Sequence, residues 1–277
     1  MFDLEEQLIK SSAVKPGMPL VMGILNVTPD SFSDGGLFVE TSEIEKQVVA
    51  MLESGVDIID VGGESTRPGA DKVELSVELE RVLPVIEWIK ARFDVPISID
   101  TYKTDVMRHA VEAGAELVND VNALQADGAV DFVAQSGVTA CLMHIKGLPK
   151  SMQVAPAYED VLLEVQTFLQ TRADACLAAG IAKEKIILDP GFGFGKTLEH
   201  NTTLFTEMSE LVDMGYPLLV GVSRKRMIGD ILDVAVDKRA NGSVAAAILA
   251  GMKGAKIVRV HDVLETVEAC KVISKLL

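Results

Sequence analysis

The sequence predicts an α/β fold, a single-domain (β/α)8 or TIM barrel, on three observations. Short apolar runs that end in polar residues occur eight times, segments of helical periodicity alternate with them, and no composition break or linker interrupts the series over 277 residues. Strands that are apolar on both faces belong to a parallel sheet covered on both sides, and eight such units suit a barrel of about 250 residues. A doubly wound open sheet is the rival, and the unbroken run of eight units argues against it.

The first run, Met22-Gly23-Ile24-Leu25, ends at Asn26 and opens into a polar loop that reaches Gly36. Residues 1–20 precede it as an N-terminal extension expected to plug the bottom of the barrel, which occupies 21–277. A helix is expected to start at Ser42, where Glu45 completes a capping-box pattern and Val48, Val49 and Leu52 share one face up to Gly55. The later runs end at Asp60-Val61-Gly62, Asp100, Asn119-Asp120, His144, Asp189, Ser223, and Arg259-Val260-His261. Helical segments are expected around 74–92, 103–113, 158–179, 203–213, 243–253 and 262–276, with a weak one near 126–135. In a barrel all eight polar tips surround one mouth, at the C-terminal face where barrel chemistry sits. So many amides and carboxylates in a half-buried place are costly without a polar ligand.

Composition narrows the function. With 26 basic and 41 acidic residues the net charge is −15, a poor match for nucleic acid. No apolar run approaches the roughly 20 residues that span a bilayer, and the acidic start, Asp3-Leu4-Glu5-Glu6, lacks the layout of a signal peptide. Cys141, Cys176 and Cys270 are odd in number and widely spaced. They read as buried thiols of a reducing cytoplasm, neither a disulfide frame nor a zinc site.

Four constellations carry chemistry. Arg67, after Thr66, and Arg259 with His261 two positions on offer a basic set against the global charge. Arginine forks match phosphate oxygens, and Thr66 and Asn26 add a hydroxyl and an amide; surface ion pairing is the blander reading. Asp100, Asn119 and Asp189 suit a flat heterocycle with an amino-pyrimidinone edge, although carboxylates capping the next helix would look the same. The run Asp189-Pro190-Gly191-Phe192-Gly193-Phe194-Gly195-Lys196-Thr197 fails the phosphate-loop pattern, because Pro190 stands where glycine is required, and Lys196 spoils the dinucleotide pattern. Its glycines let the backbone turn tightly and place Phe192 or Phe194 over a planar substrate. In Ser223-Arg224-Lys225-Arg226, Lys225 could form a Schiff base or donate to a ring carbonyl or nitrogen, Ser223 could meet a carboxylate, and a solvated helix start is the plain alternative.

The blocks MGILNVTPDSFSDGG (22–36), DVGGESTRPGA (60–70), SIDTYK (98–103), LVNDV (117–121), LDPGFGFGK (188–196), GVSRKR (221–226) and RVHDV (259–263) together resemble the dihydropteroate synthase family of pterin-binding barrels, from about Val21 to the C-terminus. The resemblance implies condensation of (7,8-dihydropterin-6-yl)methyl diphosphate with 4-aminobenzoate to 7,8-dihydropteroate, for folate synthesis. It assigns Asn26 to Mg²⁺ with the diphosphate, and Thr66, Arg67, Arg259 and His261 to the diphosphate itself. Asp100, Asn119, Asp189 and Lys225 match the pterin binders, with Arg259 and Met143 flanking the ring. Phe32, Pro68, Phe194, Ser223 and Lys225 match the aminobenzoate pocket, and sulfonamides would compete there. Asp34 on the first loop and Arg67 on the second are its catalytic residues, and a cytoplasmic homodimer is implied. The rivals are a methyltetrahydrofolate methyltransferase, which has no need of the diphosphate set; a lysine-dependent aldolase using Lys225; and a catalytically dead binding subunit, which would tend to lose the charged tips present here.

Overall fold

A computed structural model describes residues 2–28, 37–65, 72–147 and 152–277, with the side chains of 37–41 left aside. Asp34, Phe32, Thr66, Arg67 and Pro68, and so most of both expected loops, lie outside the described residues. Eight parallel strands form one sheet: β1 (Leu20–Asn26), β2 (Ile58–Gly62), β3 (Ile97–Asp100), β4 (Leu117–Asp120), β5 (Thr139–Met143), β6 (Ile186–Asp189), β7 (Leu219–Val220) and β8 (Ile257–Val260). The order β6-β5-β4-β3-β2-β1-β8-β7 curls until its edges meet. A parallel bridge from Leu188 to Leu218 and the Leu188 N–H to Pro217 carbonyl bond, 2.9 Å, join β6 to the start of β7. The single-domain barrel expectation holds.

Each strand is almost wholly buried, as continuous apolar runs require, and helices cover the outer face. These are α1 (Leu4–Ser12), α2 (Leu37–Ser54), α3 (Leu75–Lys90), α4 (Thr104–Ala113), α5 (Ala129–Ser136), α6 (Val161–Ala178), α7 (Leu198–Thr206), α8 (Met208–Val212), α9 (Arg226–Leu232), α10 (Ala240–Met252) and α11 (Val263–Leu276). Two boundaries depart from expectation. The α2 helix begins at Leu37, because 37–41 hold no Gly or Pro to stop it, so Ser42 lies inside the helix. The segment expected from 203 begins at Leu198. There Thr197 accepts from the His200 N–H and the His200 ring accepts from the Thr197 N–H, a reciprocal cap with His in the usual Glu position. Helix α9 carries no long apolar stripe and was not expected.

Alternation along the strands separates two layers inside the barrel. The lower is apolar: Leu20, Met22, Ile58, Leu117, Cys141, Ile187, Leu219 and Ile257 pack with Phe2 and Leu4, so α1 and the residue before its cap seal this end. Asp3 caps α1 by accepting from the Glu6 N–H at 3.0 Å. The buried Lys15 ammonium ties the following turn to the Pro19 carbonyl (2.6 Å) and the Asp57 carboxylate (2.7 Å). Two positions further along β2, β4, β6 and β8 the inward side chains turn polar, at Asp60, Asn119, Asp189 and Arg259.

Candidate active site

The mouth is built by register. Asp100 lies beside Asn119 across β3–β4, and Met143 beside Asp189 across β5–β6. Arg259 pairs in register with Met22, one level lower, and its long side chain climbs into the mouth. Its Nε donates to Asp60 at 2.6 Å and its Nη2 to Asp100 at 2.7 Å. Asp60 also takes the Asn119 amide at 3.3 Å. Asp60 is fully buried, so this carboxylate organises both an expected diphosphate binder and an expected pterin binder. Sequence reading placed Asp60 at a tip and gave it no role. Its partner Arg259 is 199 positions away, and only the stagger of the barrel joins them.

Arg259 therefore carries the carboxylate partners of a structural arginine while standing in the mouth. Burial disfavours its charge, but Asp60 and Asp100 outweigh this and push its pKa further up. Burial pushes Asp100 up to about 7, against the pull of Arg259, with Asp60 adding to the rise. Among the described residues Asp100 Oδ1 is buried without a hydrogen-bond partner. A buried lone oxygen of this kind costs free energy unless a donor meets it.

The third carboxylate is across the mouth. Asp189 Oδ1 accepts from the Gly191 N–H at 2.7 Å, a bond within the turn after β6, whereas the next helix, α7, is capped by Thr197. Burial raises its pKa, with Lys225 acting against the rise. Lys225 precedes α9 and bonds the Phe192 carbonyl. Its Nζ stands 4.5 Å from the centre of the Phe194 ring. Burial lowers Lys225 to about 8, opposed by Asp189. Of the two aromatics offered for a planar substrate, Phe192 is excluded. It is fully buried against Phe205, 5.7 Å between ring centres, because the positive φ of Gly191 and Gly193 turns the chain between the two rings. Phe194 is the one at the mouth.

On the adjoining side Ser223 and His261 bond each other, Oγ to Nδ1 at 3.0 Å, and Ser223 Oγ also accepts the His261 N–H at 3.1 Å. Arg224 adopts a left-handed φ of 55° and pairs with Asp262, so the first of the three consecutive basic residues 224–226 is structural. Asn26 stands at the tip of β1. A Cβ placed on Gly62 would lie 3.9 Å from Asn26 Oδ1 and 3.8 Å from Asp100 Oδ2, so the two oxygens flank one bare backbone position. Among the described residues no group of three or more His, Cys, Asp or Glu could hold a metal ion. A metal here would draw its oxygens mainly from ligand and water, as Mg²⁺ commonly does.

The mouth thus combines acceptors for a ring N–H edge, a cation–aromatic wall and a basic corner. The family described as pterin binding enzyme matches residues 22–261. The chain belongs to that family. A dihydropteroate synthase of Escherichia coli (strain K12) is 52% identical over 255 residues, covering 92% of this chain and 90% of that protein. Among solved structures, a Yersinia pestis dihydropteroate synthase in complex with a sulfonamide drug superposes with a TM-score of 0.88 at 50% identity, covering 94% of each chain. A Xanthomonas albilineans dihydropteroate synthase in complex with 7,8-dihydropteroate gives 0.85 at 44%, again covering 94% of each. Within this pterin-binding chain, Asn26, Asp100, Asn119, Met143, Asp189, Ser223, Arg259 and His261 fall at or just past the strand ends of one rim, and Phe194 and Lys225 in the loops that follow β6 and β7.

Proposed function

We infer that the chain joins (7,8-dihydropterin-6-yl)methyl diphosphate to 4-aminobenzoate, yielding 7,8-dihydropteroate and diphosphate. The observation that carries this reading is the acceptor set Asp100, Asn119 and Asp189 in one rim, with Asp100 Oδ1 buried and unmet among the described residues. The amino-pyrimidinone edge of a pterin supplies the donors such oxygens lack. Lys225 donates to the ring from the opposite side, and Arg259 and Met143 bracket it. Phe194, Ser223 and Lys225, with Phe32 and Pro68, form the aminobenzoate pocket, where sulfonamides compete.

The electron-rich dihydropterin stabilises a methylene cation as the C–O bond to diphosphate breaks and the electron pair leaves with the phosphate. The arylamine lone pair then forms the C–N bond, and the amine proton passes to solvent. Arg67, Thr66, Arg259 and His261 hold the departing charge. Asn26 would hold Mg²⁺, which would supply charge neutralisation at the diphosphate. The loops that carry Asp34 and Arg67 keep water from the cation. The reading includes a cytoplasmic homodimer. It is supported by the three buried free thiols and by the exposed Ile231, Leu232, Leu249 and Met252 of α9 and α10.

The test is the purified chain with both substrates and Mg²⁺, the product identified by mass. Dihydropteroate forms, and a sulfonamide inhibits in competition with aminobenzoate. Absence of dihydropteroate, or competition with the pterin substrate instead, overturns the reading.

A further inference from the structure

The loop from Gly191 to Gly195 has an unusual bonding pattern. Each of its five carbonyls accepts from a side chain outside the five. Lys196 Nζ donates to Gly191 O at 2.9 Å and to Phe194 O at 3.2 Å. Lys225 Nζ takes Phe192 O, Gln153 Nε2 takes Gly193 O, and the Tyr158 hydroxyl takes Gly195 O at 2.9 Å. Two amides are fixed as well, Gly191 N–H to Asp189 Oδ1 and Gly193 N–H to Asn201 Oδ1, at 2.7 and 2.8 Å. The loop also sits hard against the chain after β5. A Cβ on Gly191 would collide with the His144 carbonyl and one on Gly195 with the Lys146 carbonyl, and both glycines have positive φ.

Lys196 is the centre of this arrangement. It is 3% exposed and has no carboxylate within ion-pair distance among the described residues. Its third contact is His144 Nδ1, at 2.9 Å. A buried amine with no ion pair is costly to keep, and here it is met by three acceptors, two of them in the loop that presents Phe194. His144 is held in turn by an edge contact with Phe168, ring centres 5.1 Å apart. The pattern matches supporting groups that lock a site's geometry without entering it.

We propose that Lys196, seated on His144, is a positioning residue for the aminobenzoate pocket: it clamps the Gly191–Phe194 turn, and so fixes the Phe194 ring and the carbonyl that anchors Lys225, without touching either substrate. This rests on the reading that Phe194 and Lys225 line that pocket. Lys196→Met removes the clamp and keeps the side-chain length. Tyr158→Phe removes a single donor from the far end of the same loop and is the gentler variant if the first folds poorly.

The experiment measures steady-state constants for both substrates, and amide hydrogen exchange over 189–198 in the unliganded protein. Lys196→Met raises the aminobenzoate KM tenfold or more, raises the pterin KM by a clearly smaller factor because, of that pocket's residues, only Lys225 also serves the ring, and speeds exchange across the loop. Tyr158→Phe shifts the aminobenzoate KM two- to fivefold in the same direction. Equal movement of both KM values, or unchanged loop exchange in the folded variants, overturns the clamp. A wild-type chain that makes no dihydropteroate overturns the underlying reaction instead, and the exchange measurement still reads the clamp.

Discussion

The two ends of the barrel use the same strands and opposite chemistry. At the lower end Leu20, Met22, Ile58, Leu117 and Ile187 close against Phe2 and Leu4. Further along those strands stand Asn26, Asp60, Asn119 and Asp189. The lower layer is satisfied by burial alone, and each of its side chains contributes by leaving water. The upper layer buries charge, which stays tolerable only while each charge keeps its partner. The difference predicts two kinds of mutant, those that cost stability and leave chemistry alone, and those that cost both.

The largest effect is expected from Arg259→Met. It leaves Asp60 fully buried and Asp100 nearly so without their cation, at a cost of about 3–5 kcal/mol of stability. The lost donor lowers kcat by about 10²–10³-fold. Urea unfolding and steady-state kinetics on one preparation check both, and a stable but inactive variant would show that Asp60 and Asp100 tolerate each other alone. The matching change at the lower end is Leu20→Ala, expected to cost about 2–5 kcal/mol from the transfer and cavity contributions, with kcat per folded molecule unchanged. A fall in kcat would mean that the two layers are mechanically coupled.

That separation was visible in the amino-acid order to different depths. The strands were legible because eight apolar runs of similar length leave few alternatives, and their polar ends announced the rim. Helix starts were less legible. Ser42 resembles a cap, yet nothing between Leu37 and Ser42 stops the helix, and a cap reading has no access to that. The pairing of Asp60 with Arg259 was invisible, since strand periodicity says which side a residue faces and not how far around a staggered barrel its side chain reaches. Phe192 and Phe194 are chemically alike, and only the left-handed glycines decide which enters the core. Lys196 was noticed for spoiling a nucleotide motif, when its part in the fold is set by the carbonyls around it.

Within the upper layer the ring-binding side is separable from the charge-pairing side. Asp189→Asn keeps an oxygen for the Gly191 N–H and removes the negative charge. Pterin affinity by calorimetry is expected to fall by about 1.5–3 kcal/mol, the worth of a charged hydrogen bond, with folding little changed. Unchanged affinity would move the ring away from β6 and leave Asp189 as a turn cap only.

The smallest effect is conditional on pH and concerns the rim's support. Burial, reinforced by the nearby Lys196, lowers His144 to about 3, whereas an unfolded histidine titrates near 6.5. The unfolded chain therefore takes up the proton first as acid is added. The contribution of neutral His144 is complete above about pH 6.5 and is lost progressively as pH falls toward 3. His144→Asn places an amide oxygen where Nδ1 accepts from Lys196 and does not titrate. Between pH 6.5 and 5.5 the wild type is expected to lose about 1 kcal/mol more stability than the variant, read from urea midpoints at the two pH values. The comparison is of slopes, so any loss at neutral pH from the missing contact with Phe168 cancels. Parallel slopes would mean that His144 takes up its proton as readily in the folded protein as in the unfolded chain, which an imidazole nitrogen accepting from a buried Lys196 could not do.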